Sequence, residues 1–232
     1  MAKNDVPDME LAKSLGRSAF VLGYTGAVGK ALVNELNKTK VYKKVVLIGR
    51  RLVPLEVGSE FEQRVIDFEK LDDHKDAFKD MDVGFCCLGT TRSKVGVQAF
   101  LRTDRDYVVM SAQIAKDQGC KHFSVVTSTS SNKDSYFLYP RTKGEVEDII
   151  TKMNFERLSI FRPGLLLADR VEKRTGEDFA TFILKPIIHF FPTFLSAPVE
   201  TVAKAMLNDA VKPSNDAIKE IFTNKTIHQM AE

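Results

Sequence analysis

Short apolar runs alternate with segments of helical periodicity over much of the chain. Six apolar runs predict buried strands, at 18–23, 44–49, 63–68, 83–89, 121–128 and 156–164. Helices are predicted between them, over 27–39, 72–81, 96–119 and 139–153. Continuous apolar strands separated by helices are typical of a parallel sheet that is covered on both faces. We therefore predict an α/β fold, with a Rossmann-like doubly wound parallel sheet and helices on both faces.

The pattern becomes irregular after Gly164. We predict that 165–232 forms a small C-terminal cap on the substrate side together with terminal helices, one of them over 201–212. Residues 1–17 are predicted to be an N-terminal extension. No linker or internal repeat divides the rest, so we predict a single domain over 1–232.

The longest apolar stretch covers 179–199 and is interrupted by Lys185, His189 and three prolines. A membrane span needs a longer uninterrupted apolar segment, so no transmembrane segment is predicted. The stretch is compatible with a core helix and loop, the wall of an apolar pocket, a dimer contact or a contact with a membrane surface. His189 has no cysteine or carboxylate motif beside it and is predicted to be a packed or surface histidine.

Composition, charge and cysteine spacing give no indication of a nucleic-acid-binding, metal-binding or disulfide-rich protein. The chain has 232 residues, 44% of them hydrophobic and 28% charged, which is usual for a soluble globular protein. Its net charge of +3 gives no reason to predict direct binding of nucleic acid. Cys86, Cys87 and Cys120 lack the spacing of a metal site or a disulfide framework, so reduced cysteines and no metal are predicted. The N-terminus has no apolar run of the secretory type.

The first predicted strand runs into the sequence GYTGAVG, which contains Gly23, Gly26 and Gly29. Glycines at this spacing permit a tight turn, a close approach of the backbone to a pyrophosphate, and close packing of the next helix. The N-terminus of that helix offers free N–H groups and a partial positive charge to phosphates. A P-loop is excluded because Tyr24 and Ala31 stand where it needs glycine and serine or threonine. The turn predicts dinucleotide binding.

Two arginines, Arg50 and Arg51, follow the second predicted strand in the sequence IGRR. An NAD site usually has an acidic residue here, which binds the 2′-hydroxyl of the ribose. Guanidinium groups instead suit the 2′-phosphate of NADPH and can stack on adenine. A solvated basic turn is the alternative, but the position after the second strand favours NADPH over NADH.

The ends of two further strands supply candidate cofactor contacts. Asp67 and Phe68 follow the third strand, where Asp67 can accept from the adenine amino group and the Phe68 backbone can meet the ring edge. A capping role for Asp67 is the alternative. Leu88 and Gly89 end the fourth strand, beside the expected path of the cofactor ribose, although Gly89 also suits a tight turn.

The sequence YPRTK begins the helix after the fifth predicted strand. Its Tyr139 and Lys143 are four residues apart and share one helix face. A free tyrosine titrates at about pH 10, and an adjacent ammonium favours the phenolate. Lys143 can also hold ribose hydroxyls, and Ser128, at the end of the strand, can position a carbonyl or alcohol oxygen. We predict Ser128, Tyr139 and Lys143 as the catalytic set, with Thr127 and Ser130 as alternative hydroxyls. The alternative for the pair is a packed tyrosine beside a solvated lysine.

The glycine turn together with this serine, tyrosine and lysine resembles the short-chain dehydrogenase/reductase superfamily. Asp67 and the sequence RPG at 162–164 resemble its extended and atypical branches. A closer resemblance is to the HIV Tat-interactive protein family of oxidoreductases, an atypical branch of tumour-suppressor type. It is carried by the segments LIGRR, VIDFEKLDD, VGFCCLGTTR, DRDYV, GCKHF, KGEVE and FRPG, and it spans roughly residues 18–228.

The family resemblance implies NADPH as the cofactor, held at family positions that correspond to Thr25, Gly26, Ala27, Val28, Arg50, Arg51, Leu88, Gly89, Tyr139, Lys143, Leu166 and Arg174. It also implies links to apoptosis, transcription and nuclear import through importin β-type partners, and a location in cytoplasm and nucleus. Two features depart from the related patterns. Asp104 stands where a superfamily asparagine is usual, and the turn reads GYTGAVG in place of GASGETG.

Two functions are consistent with these features. The first is an NADPH-dependent oxidoreductase for a carbonyl/alcohol couple, with a lipid-like substrate as one option. The second is an NADPH-sensing regulatory protein with little turnover, which the presence of Asp104 and the family's regulatory links favour. Either a monomer or a homodimer is compatible with the sequence.

Overall fold

A computed structural model describes residues 8–90, 92–167, 196–212 and 218–232. Its strands are β1 Ser18–Leu22, β2 Lys44–Gly49, β3 Phe61–Val65, β4 Val83–Cys86, β5 His122–Val126, β6 Arg157–Arg162, β7 Leu165–Leu167, β8 Ser196–Pro198 and β9 Lys219–Thr223. Seven of them form one parallel sheet in the order β3-β2-β1-β4-β5-β6-β9, while β7 and β8 form a separate parallel pair. The predicted doubly wound fold class is confirmed.

The helices of the described residues are α1 Met9–Ser14, α2 Ala27–Thr39, α3 Arg92–Leu101, α4 Tyr107–Asp117, α5 Leu138–Thr151, α6 Val199–Val211 and α7 Asn224–Met230. A 3₁₀ segment covers Phe68–Phe78, and a π-helical turn, Arg102–Asp106, joins α3 to α4. Within α3, Gly96 has a φ of +79° and is not helical. No helix among these described residues is long and apolar enough to cross a bilayer.

Each face of the sheet packs against its own apolar core. On one face, Val21 and Phe85 pack with residues of α2, α6 and α7. On the other face, Phe20 and Leu22 pack with residues of the 3₁₀ segment, α4 and α5. Neighbouring residues of β1 therefore enter opposite cores, and the whole strand is buried. Burial on both faces explains why the strands lack polar alternation in the sequence.

Several predicted elements differ in their bounds from the observed ones. The strand predicted at 63–68 lies at Phe61–Val65, and the helix predicted at 72–81 is the 3₁₀ segment Phe68–Phe78. The long helix predicted at 96–119 is divided by the π-helical turn. Strand β9 was not predicted, although it pairs with β6 at the edge of the main sheet.

A buried polar network lies where β5 and β6 begin. The Asp209 carboxylate accepts from Arg157 Nη2 and from Ser159 Oγ, each at 2.6 Å. His122 Nε2 lies 2.8 Å from the same serine oxygen and 3.6 Å from Asp209 Oδ2. Burial holds the pKa of His122 well below its ordinary value, and the charges of Arg157 and Arg17 act in the same direction. The imidazole is therefore neutral in the folded protein at neutral pH.

This neutral histidine makes stability dependent on pH. In the unfolded chain His122 takes up a proton below about pH 6.5, whereas the folded protein resists it, so its stabilising contribution is full above that pH and is lost as the pH falls. The free energy of unfolding should therefore fall by up to about 1.4 kcal/mol per pH unit below pH 6.5 because of His122, and we expect His122→Gln to remove this contribution. Urea denaturation of both proteins between pH 7.5 and pH 5.5 measures the difference, and parallel stability curves would contradict this assignment.

Candidate active site

The glycine turn packs directly against the end of β4. Gly23 has a φ of +74°, and a Cβ on it would lie 2.6 Å from the carbonyl oxygen of Cys87. A Cβ on Gly29 would lie 2.2 Å from the carbonyl oxygen of Gly23. Larger residues at these two positions would force apart β1, the first turn of α2 and the segment after β4. The turn thus lies between two adjacent strands of the sheet, where the strand order reverses and where doubly wound folds bind ligands.

The start of α2 is free to receive an anion. Gly26 is its N-cap residue, no side chain caps the helix, and its first turn contains no acidic residue. The first N–H groups of a helix have no partner within the helix, and they carry a partial positive charge. Gly26 and Ala27 are exposed, Thr25 is half-buried, and Val28 is buried. The predicted turn residues therefore present backbone donors and little side-chain bulk, which fits a pyrophosphate.

Arg50 and Arg51 lie exposed in the loop that follows β2. Neither guanidinium group forms a hydrogen bond or ion pair with the part of the chain that the structure describes. A side chain restrains the backbone of this loop, because the Tyr24 hydroxyl donates to the Arg51 carbonyl oxygen at 2.8 Å. This contact was not predicted, because it joins residues 27 positions apart and the sequence contains no local signal for it.

The segment after β3 holds the candidate adenine contacts. Asp67 Oδ1 accepts from the Glu69 backbone N–H at 2.9 Å and caps the 3₁₀ segment, so the capping role weighed for this residue is present. The residue is exposed, and its second carboxylate oxygen remains available to a ligand. Phe68 is buried, and its ring lies 5.2 Å from that of Tyr107. Its side chain is therefore part of the core, which leaves only its backbone for a cofactor.

Lys143 and Asp104 form a buried ion pair beside Gly89. Lys143 Nζ lies 2.8 Å from Asp104 Oδ1, and both side chains are almost fully buried. The Thr90 backbone N–H donates to Asp104 Oδ2 at 2.8 Å, so both carboxylate oxygens are engaged. Burial acts to lower the pKa of Lys143, but Asp104 and then Tyr139 outweigh it, and that pKa is raised. The Lys143 ammonium is therefore protonated at neutral pH, and its charge is paired with the Asp104 carboxylate.

Tyr139 stands one helical turn from this charge. Lys143 Nζ is 6.0 Å from the centre of the Tyr139 ring, which packs 5.9 Å from the ring of Phe100. The tyrosine is partly exposed, with 39% of its surface accessible, whereas the lysine is buried. The alternative of a solvated Lys143 is therefore wrong in this structure. The pair combines an accessible hydroxyl with a buried cation.

The hydroxyls of Thr127 and Ser128 differ in their surroundings. Thr127 Oγ1 donates to Glu147 Oε1 at 2.6 Å and is buried, and Glu147 also pairs with Arg162. Ser128 is half-buried, and its Oγ lies 3.0 Å from Ser130 Oγ. Of the two residues at the end of the strand, Ser128 is the one whose hydroxyl is not committed to the Glu147 carboxylate.

The remaining predicted positions lie at the strand ends or outside the described residues. Leu88, which packs at the margin of the second core, and the exposed Gly89 both follow β4. Leu166 lies in β7, pairs with Ala197 and packs against the first core. Arg174 and most of the apolar stretch 179–199 lie outside the described residues.

The strand order places the predicted residues in two groups along one edge. The segments after β1, β2 and β3 contain the glycine turn, the arginines and Asp67, whereas those after β4 and β5 contain Gly89 and Ser128. Helix α5 brings Tyr139 and Lys143 to the second group. An extended dinucleotide fits this division, with its adenosine end on the first group and its reactive end on the second.

Comparisons with known proteins agree with this geometry. A family model described as NAD(P)H-binding matches residues 23–180. The rat protein HTATIP2 is 46% identical over 217 residues, which cover 93% of this chain and 89% of the rat protein. A protein of Scheffersomyces stipitis named FMP52-1, mitochondrial, is 34% identical over 200 residues, covering 83% of this chain and 88% of that protein.

Solved structures share the fold at lower identity. An oxidoreductase of the short-chain dehydrogenase/reductase family from Burkholderia thailandensis superposes with a TM-score of 0.66 at 17% identity, covering 91% of this chain and 92% of that one. MoeE5 in complex with UDP-glucuronic acid and NAD also gives 0.66, at 19% identity over 89% of this chain and 75% of that one. The match to HTATIP2 confirms the predicted family resemblance. The chain belongs to the NAD(P)H-binding family and, within it, to the group that includes rat HTATIP2.

Proposed function

We propose that the protein is an NADPH-dependent oxidoreductase that interconverts a carbonyl and an alcohol. One observation carries this proposal: the buried Lys143 ammonium lies beside the accessible Tyr139 at the sheet edge that contains the glycine turn. A positioned tyrosine hydroxyl can donate a proton to a substrate oxygen or accept one from it, and a lysine on the same helix face can hold the cofactor beside it. This is what carbonyl reduction and alcohol oxidation require of a protein side chain.

The residues at this edge fit a dinucleotide with a 2′-phosphate. The spaces beside Gly23 and Gly29 are too small for a Cβ, and the start of α2 offers uncapped backbone donors. The guanidinium groups of Arg50 and Arg51 are exposed without partners among the described residues. Guanidinium groups bind phosphate by paired hydrogen bonds, which supports NADPH over NADH.

Three side chains would position the substrate, transfer the proton and contact the cofactor. When bound, the cofactor supplies or accepts a hydride at the carbon of the substrate. Ser128 would position the substrate oxygen by a hydrogen bond, and Tyr139 would donate a proton to it during reduction and accept one during oxidation. Lys143 would contact the ribose hydroxyls and place its ammonium group on the same helix face as Tyr139. Its charge is fixed by Asp104 throughout.

A second candidate is an NADPH-sensing regulator with little turnover. Both oxygens of Asp104 are engaged by Lys143 and Thr90, so this residue does not offer the free amide of the usual asparagine. The resemblance to HTATIP2 supports extending this proposal to importin β-type and transcription-related partners in cytoplasm and nucleus. The fungal relatives are named as mitochondrial, so fractionation of cells that express the protein is the direct test of location.

We predict that Arg50→Ala combined with Arg51→Ala removes the preference for NADPH. The Kd for NADPH should rise about ten- to a hundredfold, because hydrogen bonds to charged groups contribute about 1.5–3 kcal/mol. The Kd for NADH should change little, since NADH has no 2′-phosphate. Calorimetric titration with both nucleotides measures this, and weak binding of both by the wild-type protein would refute the proposed cofactor.

We predict that Tyr139→Phe lowers turnover about a hundred- to ten-thousandfold, because it removes a proton donor without removing the ring. Binding of NADPH should persist, as Lys143 and Asp104 remain. Oxidation of NADPH with a panel of aldehydes and ketones, apolar ones included, measures the rate. Tyr136→Phe is the matched control, because this tyrosine lies three positions earlier and is 97% exposed. Equal rates in Tyr139→Phe and the wild type would favour the sensing function.

A further inference from the structure

Tyr24 lies inside the glycine turn but takes no part in the proposed chemistry. Its ring is buried, with 1% of its surface exposed, and its hydroxyl lies 2.8 Å from both the Arg51 carbonyl oxygen and Gln63 Oε1. Burial raises the pKa of the hydroxyl, while the Arg51 guanidinium acts against that rise. The hydroxyl is therefore protonated and available as a donor at neutral pH.

Gln63 extends this contact further into the loop after β2. Its Oε1 accepts from the Val53 backbone N–H at 3.0 Å, and its Nε2 donates to the Val53 carbonyl oxygen at 2.9 Å. These two bonds fix which end of the amide is the oxygen. Gln63 Oε1 and the Arg51 carbonyl oxygen are therefore both acceptors, and they share the single hydrogen of the Tyr24 hydroxyl. The turn after β1, the loop after β2 and strand β3 are thus joined through two side chains.

Gly49, the last residue of β2, makes room for the ring of Tyr24. A Cβ at this position would lie 2.6 Å from Tyr24 Cε1, which is closer than packed carbon atoms approach. The glycine immediately before the two arginines therefore lets the ring reach beneath the loop. The large Tyr24 in the turn is thus accommodated by the absence of a side chain at Gly49.

We infer that Tyr24 is a positioning residue for cofactor selectivity, which holds the backbone from which Arg50 and Arg51 reach the 2′-phosphate of NADPH. This inference rests on the proposed function and names the device that sets its cofactor preference. The two guanidinium groups have no partners among the described residues, so the hydrogen bond from Tyr24 restrains the backbone of Arg51 and leaves both charged groups free for a ligand. Groups that are held in place before binding lose less entropy on binding.

The test compares Tyr24→Phe with the wild-type protein in calorimetric titrations with NADPH and NADH. We expect the Kd for NADPH to rise about three- to tenfold, the range that loss of one hydrogen bond produces. The Kd for NADH should stay within about twofold, because NADH does not use the arginines. Tyr42→Phe is the matched control. Tyr42 is buried in the same core, and its hydroxyl has no hydrogen-bond partner among the described residues.

A second comparison separates positioning from general stabilisation. In a protein that already contains Arg50→Ala and Arg51→Ala, Tyr24→Phe should cause no further loss of NADPH binding, because the positioned groups are absent. A merely structural role would weaken binding of both nucleotides equally in either background, and that result would overturn the inference.

The remaining outcomes are also decisive. If the wild type prefers NADPH and Tyr24→Phe keeps the same preference, the inference is wrong while the proposed function stands. If the wild type shows no preference, the NADPH proposal and this inference both fail. Thermal melting checks folding. If Tyr24→Phe does not fold, Gln63→Met removes the hydrogen bonds of Gln63 in β3 to Tyr24 and Val53. The ratio of its Kd values for NADPH and NADH is then compared with that of the wild type.

Discussion

The buried ion pair between Lys143 and Asp104 sets the constraint on which the candidate site depends. The lysine belongs to α5 and the aspartate to the π-helical turn, while Thr90 binds the same carboxylate from the segment after β4. Separating the charges would leave one of them buried without compensation, at a cost of about 3–5 kcal/mol in comparable sites. Three segments distant in the chain therefore keep one relative position. A π-helical turn at this place agrees with the frequent occurrence of such turns at functional sites.

One face of α5 combines the proposed chemistry with its anchoring. Tyr139, Lys143 and Glu147 follow each other at intervals of four residues and so lie along one side of the helix. Glu147 binds Thr127 after β5 and Arg162 at the end of β6. Its carboxylate fixes the helix against both strands. The Thr127 hydroxyl is bound to this carboxylate, whereas the neighbouring Ser128 hydroxyl is not.

Sequence periodicity predicted those parts of the fold whose signal is local. Strands buried on both faces are visible as apolar runs, and the glycine turn shows its steric requirement within a few residues. The contacts that were missed join distant positions, as between Tyr24 and Gln63, which are 39 residues apart. The role of Asp104 could not be predicted because it depends on the π-helical turn that aims its side chain. Strand β9 lies at the sheet edge with Phe222 as its buried residue, so its pattern resembles that of a loop.

The side chain of Asn224 connects α7 to the turn that follows β6. Its Oδ1 accepts from the Gly164 N–H at 2.7 Å, and its Nδ2 donates to the Ser196 carbonyl oxygen at 3.1 Å. The beginning of α7 and the turn at the end of β6 are therefore connected through one side chain. A fluorescent label at the beginning of α7 would break both hydrogen bonds and disturb the turn that follows β6. Gln113, on the exposed side of α4, is the better position for a spectroscopic reporter.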